Sequence, residues 1–117
     1  METISPRREF MKNAPKAEAF AAAQLVEYQE GQVVSRTLCQ TGCVTMTLFA
    51  FWQGEGISSH TVPGDALVQV LDGEASVTIA GKEHTLTAGQ CIIMPAGSPH
   101  GLTAAKRFKM LLTLVKG

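Results

Sequence analysis

From residue 32 onward, apolar and polar residues alternate in short runs that are typical of β-strands. The clearest run is CVTMTLFAF (43–51), in which every second side chain would face the same side of a sheet. Comparable runs cover 32–38, 57–60, 66–71, 74–80, 82–88, 91–94 and 107–115. Glycine or proline separates most of these runs. The pattern therefore predicts about eight or nine short strands joined by turns.

The turn residues between the runs indicate how neighbouring strands are joined. Asp72-Gly73 lies between two runs, and this dipeptide is a strong signal for a two-residue β-hairpin. Ala80-Gly81 predicts another hairpin a few residues later. No helix-length periodic segment interrupts this region, which excludes an α/β fold. We expect an antiparallel sandwich or a small barrel, since a barrel leaves no exposed strand edges.

The first 30 residues differ in character from the rest of the chain. We interpret residues 1–30 as a tail and lead-in segment that is irregular or partly helical, and residues 31–117 as a single β-domain. Pro15 and the alanine-rich run after it predict a short helix that Asn13 would cap and Gly31 would end.

Composition narrows the class of protein and of partner. The chain has 117 residues, enough for one core, with 45% hydrophobic and 17% charged residues. Its formal net charge of zero argues against a nucleic-acid or membrane partner, because both usually require a basic surface. The three cysteines form no Cys-x-x-Cys pair, and no apolar segment of signal-peptide type follows Arg7 and Arg8. We therefore expect a cytoplasmic protein with reduced thiols.

Two histidines lie in blocks of regular spacing. Five residues separate Gly54 from His60, and this first block ends at Gly73. The second block has the spacing Gly-x5-Pro-x-Gly-x2-His, formed by Gly89, Pro95, Gly97 and His100. The two blocks resemble the paired motifs of the cupins, whose fold is a jelly-roll barrel or double-stranded β-helix. The resemblance covers about the last two-thirds of the chain and implies an all-β cupin barrel.

The first block departs from the motif of metal-binding cupins. In those proteins, two histidines and a glutamate from the first motif and one histidine from the second hold a divalent metal. Here Val62 stands at the position of the second histidine, Ala66 at that of the glutamate, and Ala104 at the asparagine that often ends the second motif. Of the implied ligands, His60 and His100 are kept.

A divalent metal (Zn, Fe, Mn, Ni or Cu) would need a third protein ligand, for which Asp65 and Glu55 are the candidates. Side chains alternate along a strand, so Asp65 should point away from the face that carries Ala66. Only a bulge at Pro63-Gly64 would turn Asp65 inward. Two imidazoles alone hold first-row metals weakly, so we expect weak or no metal binding.

The resemblance implies that His60 and His100 converge on a pocket in the barrel. We expect Val62, Ala66 and Met94 to contribute to the same pocket, which would be apolar with two polar heads. Such a site suits a small molecule with one anionic or hydroxyl group. The sequence therefore favours a small-molecule-binding cupin.

The alternative is an enzyme. Resemblance implies either a mononuclear metal-dependent dioxygenase or isomerase, or a metal-free enzyme in which histidines move protons.

The last strand bears on subunit association, because residues 107–115 (RFKMLLTLV) carry more apolar side chains than one buried face requires. Small cupins are commonly dimers, so we expect one side of this strand to meet a second subunit in a homodimer.

Overall fold

The computed structural model describes residues 9–117 and contains, within them, eight strands and a short 3₁₀ helix. The helix is Ala22–Leu25. The strands are β1 (Val33–Gln40), β2 (Val44–Phe51), β3 (Gly56–His60), β4 (Asp65–Ile79), β5 (Lys82–Thr87), β6 (Cys91–Met94), β7 (His100–Thr103) and β8 (Phe108–Val115). In residues 9–117 no helix is both long and apolar enough to cross a bilayer.

All strand pairs are antiparallel, and they form two sheets that share β4. The first sheet has the order β1-β2-β8-β4-β6, and the second has the order β5-β4-β7-β3. Together they curl around one apolar interior. The predicted all-β antiparallel barrel is therefore confirmed.

The predicted hairpin at Asp72-Gly73 is wrong. β4 continues through these two residues, and the first sheet passes into the second there. Its register with β8 shifts between Val70 and Asp72, which marks a β-bulge. Gly73 has a φ of 76°, and a Cβ at this position would overlap the Arg107 carbonyl. Only glycine fits that conformation and that approach, so the dipeptide bends a long strand instead of reversing the chain.

The bulge also changes which residues of β4 face the interior. Before the bulge the buried side chains are at even positions, and after it they are at odd positions: Ala66, Val68 and Val70, then Ala75 and Val77. Both halves of the strand thereby bury one face in the same barrel.

The predicted helix near Pro15 does not form; Ala22–Leu25 is the only helix within residues 9–117. A short alanine-rich segment is marginal as a helix unless it packs on something. Asn13 adopts a left-handed conformation, with a φ of 61°. Its side-chain amide donates to the Thr37 carbonyl at 2.8 Å, and Arg36 donates to the Asn13 carbonyl at 2.9 Å. Asn13 thus fastens the segment along the edge of β1 instead of capping a helix.

The segment before β1 covers the outer face of the first sheet. Val26 is only 2% exposed and packs with Leu38, Leu48 and Ala50. β2 is consequently buried on both faces, because Phe51 on its opposite face lies in the barrel interior. Burying one such aliphatic side chain contributes on the order of 1.5–3 kcal/mol.

Polar contacts hold this outer layer in place. The Tyr28 hydroxyl donates to the Asp72 carboxylate, and Lys109 Nζ donates to the Ala23 carbonyl at 2.6 Å. The Arg107 guanidinium lies 5.0 Å from the centre of the Tyr28 ring and 5.5 Å from that of Trp52. Burial, reinforced by the Asp72 carboxylate, raises the pKa of Tyr28, so the phenol stays protonated as a donor.

This outer layer also changes the reading of β8. Leu111, on the outer face of β8, packs against the cluster around Val26. The apolar excess of residues 107–115 is thus covered in part by the chain itself. The homodimer stays a prediction, but the apolar residues of β8 are no longer sufficient evidence for a second subunit.

Candidate functional site

A cavity of about 100 Å³ lies at one end of the barrel interior. Its walls come from five strands and the turn after β3, and its lining residues are Ile57, His60, Val62, Ala66, Met94, His100, Leu102, Leu112 and Leu114. All are apolar except the two histidines. The site is therefore an apolar chamber with two imidazoles in its wall.

The two histidines come together because β3 and β7 are neighbours. His60 ends β3, His100 begins β7, and the two are directly opposite each other in the antiparallel pair. Their ring centres are 4.7 Å apart and the planes meet at 70°, an edge-to-face arrangement.

The turns that carry the two histidine blocks are joined by hydrogen bonds. The Gly97 amide donates to the Val62 carbonyl at 3.0 Å. The Ala96 amide donates to the Asp65 carboxylate at 2.8 Å. These bonds fix the turn Pro95-Ala96-Gly97 against the start of β4, and so fix where the chain enters β7.

His60 is exposed at the mouth, and its Nδ1 lies 2.9 Å from the Ser58 carbonyl oxygen. A carbonyl only accepts hydrogen bonds, so Nδ1 carries the proton in this contact. In the neutral ring, Nε2 is then the basic nitrogen and an acceptor.

His100 is in the opposite situation, because it is only 2% exposed and its Nδ1 has no hydrogen-bond partner. Burial lowers the pKa of His100, and the neighbouring His60 lowers it further, while the Ser98 backbone raises the pKa by a smaller amount. His100 is accordingly neutral near pH 7. A buried polar atom without a partner costs about 1–3 kcal/mol, which makes Nδ1 a candidate contact for a ligand.

The residues present do not make a divalent-metal centre of the cupin type. Within residues 9–117, no group of three or more His, Cys, Asp or Glu side chains is arranged to hold a metal ion. Asp65 is exposed and bonded to the Ala96 amide, on the face that strand alternation predicts. Glu55 is not part of the cavity wall; it lines a separate surface depression with Gly54 and Ser58. The structure therefore brings neither proposed third ligand to His60 and His100.

The five residues expected at the pocket all line the same cavity: His60, His100, Val62, Ala66 and Met94. That they contact a ligand stays a prediction. Sequence reasoning missed Ile57, Leu102, Leu112 and Leu114. Because β8 is apolar at nearly every position, alternation could not indicate which of its leucines faces inward. No strand was predicted at 100–103, where β7 carries Leu102.

Comparison with known proteins identifies the family. Residues 47–115 match the sequence model of the Cupin_2 family, described as a cupin domain. This match spans more than half of the chain, so the chain belongs to the cupin family. No curated protein matches it.

Several solved structures share the fold and much of the sequence. A conserved protein of unknown function from Streptococcus pyogenes is 38% identical, with a TM-score of 0.92, and the match covers 96% of this chain and 98% of that one. A cupin superfamily protein from Desulfitobacterium hafniense is 34% identical, with a TM-score of 0.87 and coverages of 92% and 98%. A cupin 2 conserved barrel domain protein from Leptotrichia buccalis is 46% identical, with a TM-score of 0.79, over 80% of this chain and 46% of that longer chain.

Proposed function

We propose that this cupin binds a small organic molecule in the cavity beside His60 and His100, and that it does so without a divalent metal. The observation that carries the proposal is the lining of the cavity. Its walls are aliphatic or thioether groups, and its polar content is two imidazoles, one of which has a buried nitrogen without a partner.

Two physical terms favour occupation by an organic ligand. An apolar ligand body would remove water-accessible apolar surface, at roughly 25 cal/mol per Å². A polar group on the ligand would supply the hydrogen bond that His100 Nδ1 lacks, which recovers part of the cost of burying that atom. A pocket of few polar groups in an apolar wall is the usual composition of small-molecule sites.

The volume limits the ligand. An apolar cavity of about 150 Å³ accommodates benzene, so the volume of about 100 Å³ here suits a smaller compound, of roughly four or five non-hydrogen atoms. Such small ligands bind weakly, with a Kd on the order of millimolar unless every atom makes a good contact.

The metal-dependent dioxygenase or isomerase has less support. That chemistry needs a metal held by at least three protein ligands, and the cavity wall supplies two imidazoles. The Met94 thioether is a weak donor for the divalent ions concerned.

The proposal is tested by titrating small alcohols, ketones and carboxylates into the protein and following the imidazole and methyl signals by NMR. We expect at least one probe to shift the His100 and Met94 signals. A leucine substitution at His100 should abolish binding. The matched control is His84→Leu, because His84 lies on β5 outside the cavity wall and is half-buried.

Measuring the metal content of untagged protein tests whether the site is free of metal. Metal near one equivalent in the wild type, lost in the His60→Ala/His100→Ala double variant, would overturn the metal-free proposal. If His100→Leu does not fold, Ala66→Leu blocks the same cavity without touching either histidine.

A further inference from the structure

The cavity contains no fixed charge. Among its lining residues, His60 and His100 are the ionisable ones, and the rest are aliphatic side chains and Met94. The carboxylate of Asp65 lies outside this lining and accepts a hydrogen bond from the Ala96 amide. A charged ligand would therefore find no permanent partner of opposite sign in the wall.

An anion would require at least one imidazolium. His100 resists protonation because it is buried, and the two rings are neighbours whose positive charges would repel each other. A buried carboxylate facing neutral imidazoles keeps most of its desolvation cost, which amounts to several kcal/mol. A cation is disfavoured as well, because the wall has no carboxylate to offset the desolvation cost of the positive charge.

The hydrogen-bonding state of the histidines narrows the choice further. His60 uses its Nδ1 proton on the Ser58 carbonyl, so Nε2 is left as a lone-pair acceptor that calls for a donor on the ligand. His100 has an unpartnered Nδ1, and a neutral ring carries one N–H donor and one acceptor. A hydroxyl can donate to one imidazole and accept from the other, whereas a ketone can only accept.

We infer that the cavity selects an uncharged hydroxyl compound of about four or five non-hydrogen atoms, such as a short branched alcohol, against carboxylates and amines of the same shape. This inference rests on the proposed function, since it names the ligand class of that site. It narrows the anionic-or-hydroxyl ligand expected from the sequence to the hydroxyl.

The test uses four probes of equal size: isobutanol, butanone, propionate and isobutylamine. At a pH of about 7.5 the acid is an anion and the amine a cation, while the other two are neutral. Each is titrated into the full chain, and the Met94 methyl and imidazole NMR signals report binding. We expect isobutanol to bind at least about tenfold more tightly than either ion. The affinity for butanone should lie between that for isobutanol and those for the two ions.

The outcomes separate this inference from the proposed function. Propionate or isobutylamine binding as tightly as isobutanol would overturn the inference and leave a small-molecule site in place. Butanone binding more tightly than isobutanol would overturn the hydroxyl assignment. If none of the probes shifts the cavity signals, both proposals fail.

Variants show whether the preference arises in this cavity. Isobutanol binding should be lost in His100→Leu and in the cavity-filling variant Ala66→Leu, and kept in His84→Leu. In His60→Phe, which removes the acceptor at the mouth, we expect isobutanol to fall to the affinity of butanone. An unchanged preference for isobutanol in that variant would contradict the role given to His60.

Discussion

The interior of the barrel is solidly packed at one end and hollow at the other, although β8 lines both. At the packed end, Phe51 and Phe108 are fully buried and stacked, with ring centres 4.6 Å apart and planes inclined by 14°. Phe49 adds a third ring, 5.6 Å from that of Phe51. These large, flat, buried side chains fill the interior there.

At the hollow end, smaller and polar side chains occupy the corresponding positions. Ala66 on β4 is opposite Leu114 on β8 and Met94 on β6. The His60 imidazole stands at the mouth, and the His100 imidazole is buried in the cavity wall. Leu112 and Leu114 continue the inward face of β8 that begins at Phe108. The difference teaches that the cavity does not follow from barrel topology alone. It depends on Ala66 and Val62, which stand where the motif of metal-binding cupins has a glutamate and a histidine. Their shorter side chains leave space that the larger ones would occupy.

The largest expected effect is at the packed end. Phe108→Ala would remove a fully buried ring that stacks on Phe51. It should lower the free energy of unfolding by about 3–5 kcal/mol. Urea denaturation measures this loss. Phe20→Ala is the control, because Phe20 is 46% exposed and its substitution should change stability by no more than about 0.5 kcal/mol. Equal effects of the two substitutions would contradict the conclusion that this end of the barrel is tightly packed.

A matched pair of alanines on β4 compares the two ends directly. Ala75 and Ala66 are both buried, at 0% and 3% exposure, but only Ala66 lines the cavity. Ala75→Leu forces extra atoms into a filled core and should cost about 1–3 kcal/mol. Ala66→Leu has empty space to enter, so we expect little change or a gain in stability. Thermal unfolding distinguishes the two variants, and a larger loss for Ala66→Leu would show that the end is not hollow.

Much of the fold and part of the candidate site could be predicted from the sequence, and the reasons are specific. The motif spacings identified His60 and His100, and strand alternation predicted that Asp65 would point away from Ala66. The first inference rests on the resemblance to the cupin motifs, and the second on local strand geometry, where a period of two is reliable. The barrel followed from the same alternation and from the resemblance.

The remainder depends on contacts between distant segments. A two-residue hairpin and a glycine bulge use the same dipeptide, so Asp72-Gly73 could not be resolved until β8 was seen beside it. The cover over Leu48 and Ala50 comes from a segment with little pattern of its own. The unpartnered nitrogen of His100 is a property of how the strands meet, and no residue count reveals it.

The smallest expected effect is a pH dependence that belongs to the hollow end alone. The pKa of His100 is lowered in the folded protein from the usual 6.5, by burial and by His60. The unfolded chain therefore binds the proton more readily, so stability is fully present above about pH 6.5 and falls as the pH drops toward the lowered folded pKa. Thermal midpoints measured between about pH 8 and 5.5 should decline in the wild type, before most carboxylates titrate.

Substitutions show which end of the barrel is responsible. His100→Leu should remove much of this decline, while His84→Leu should keep it. A Phe108→Leu variant should shift the midpoint by the same amount at every pH, since the packed end has no ionisable group among its rings. A decline that survives unchanged in His100→Leu would mean that the buried imidazole is not the group being protonated. The two ends would then differ in packing but not in their response to protons.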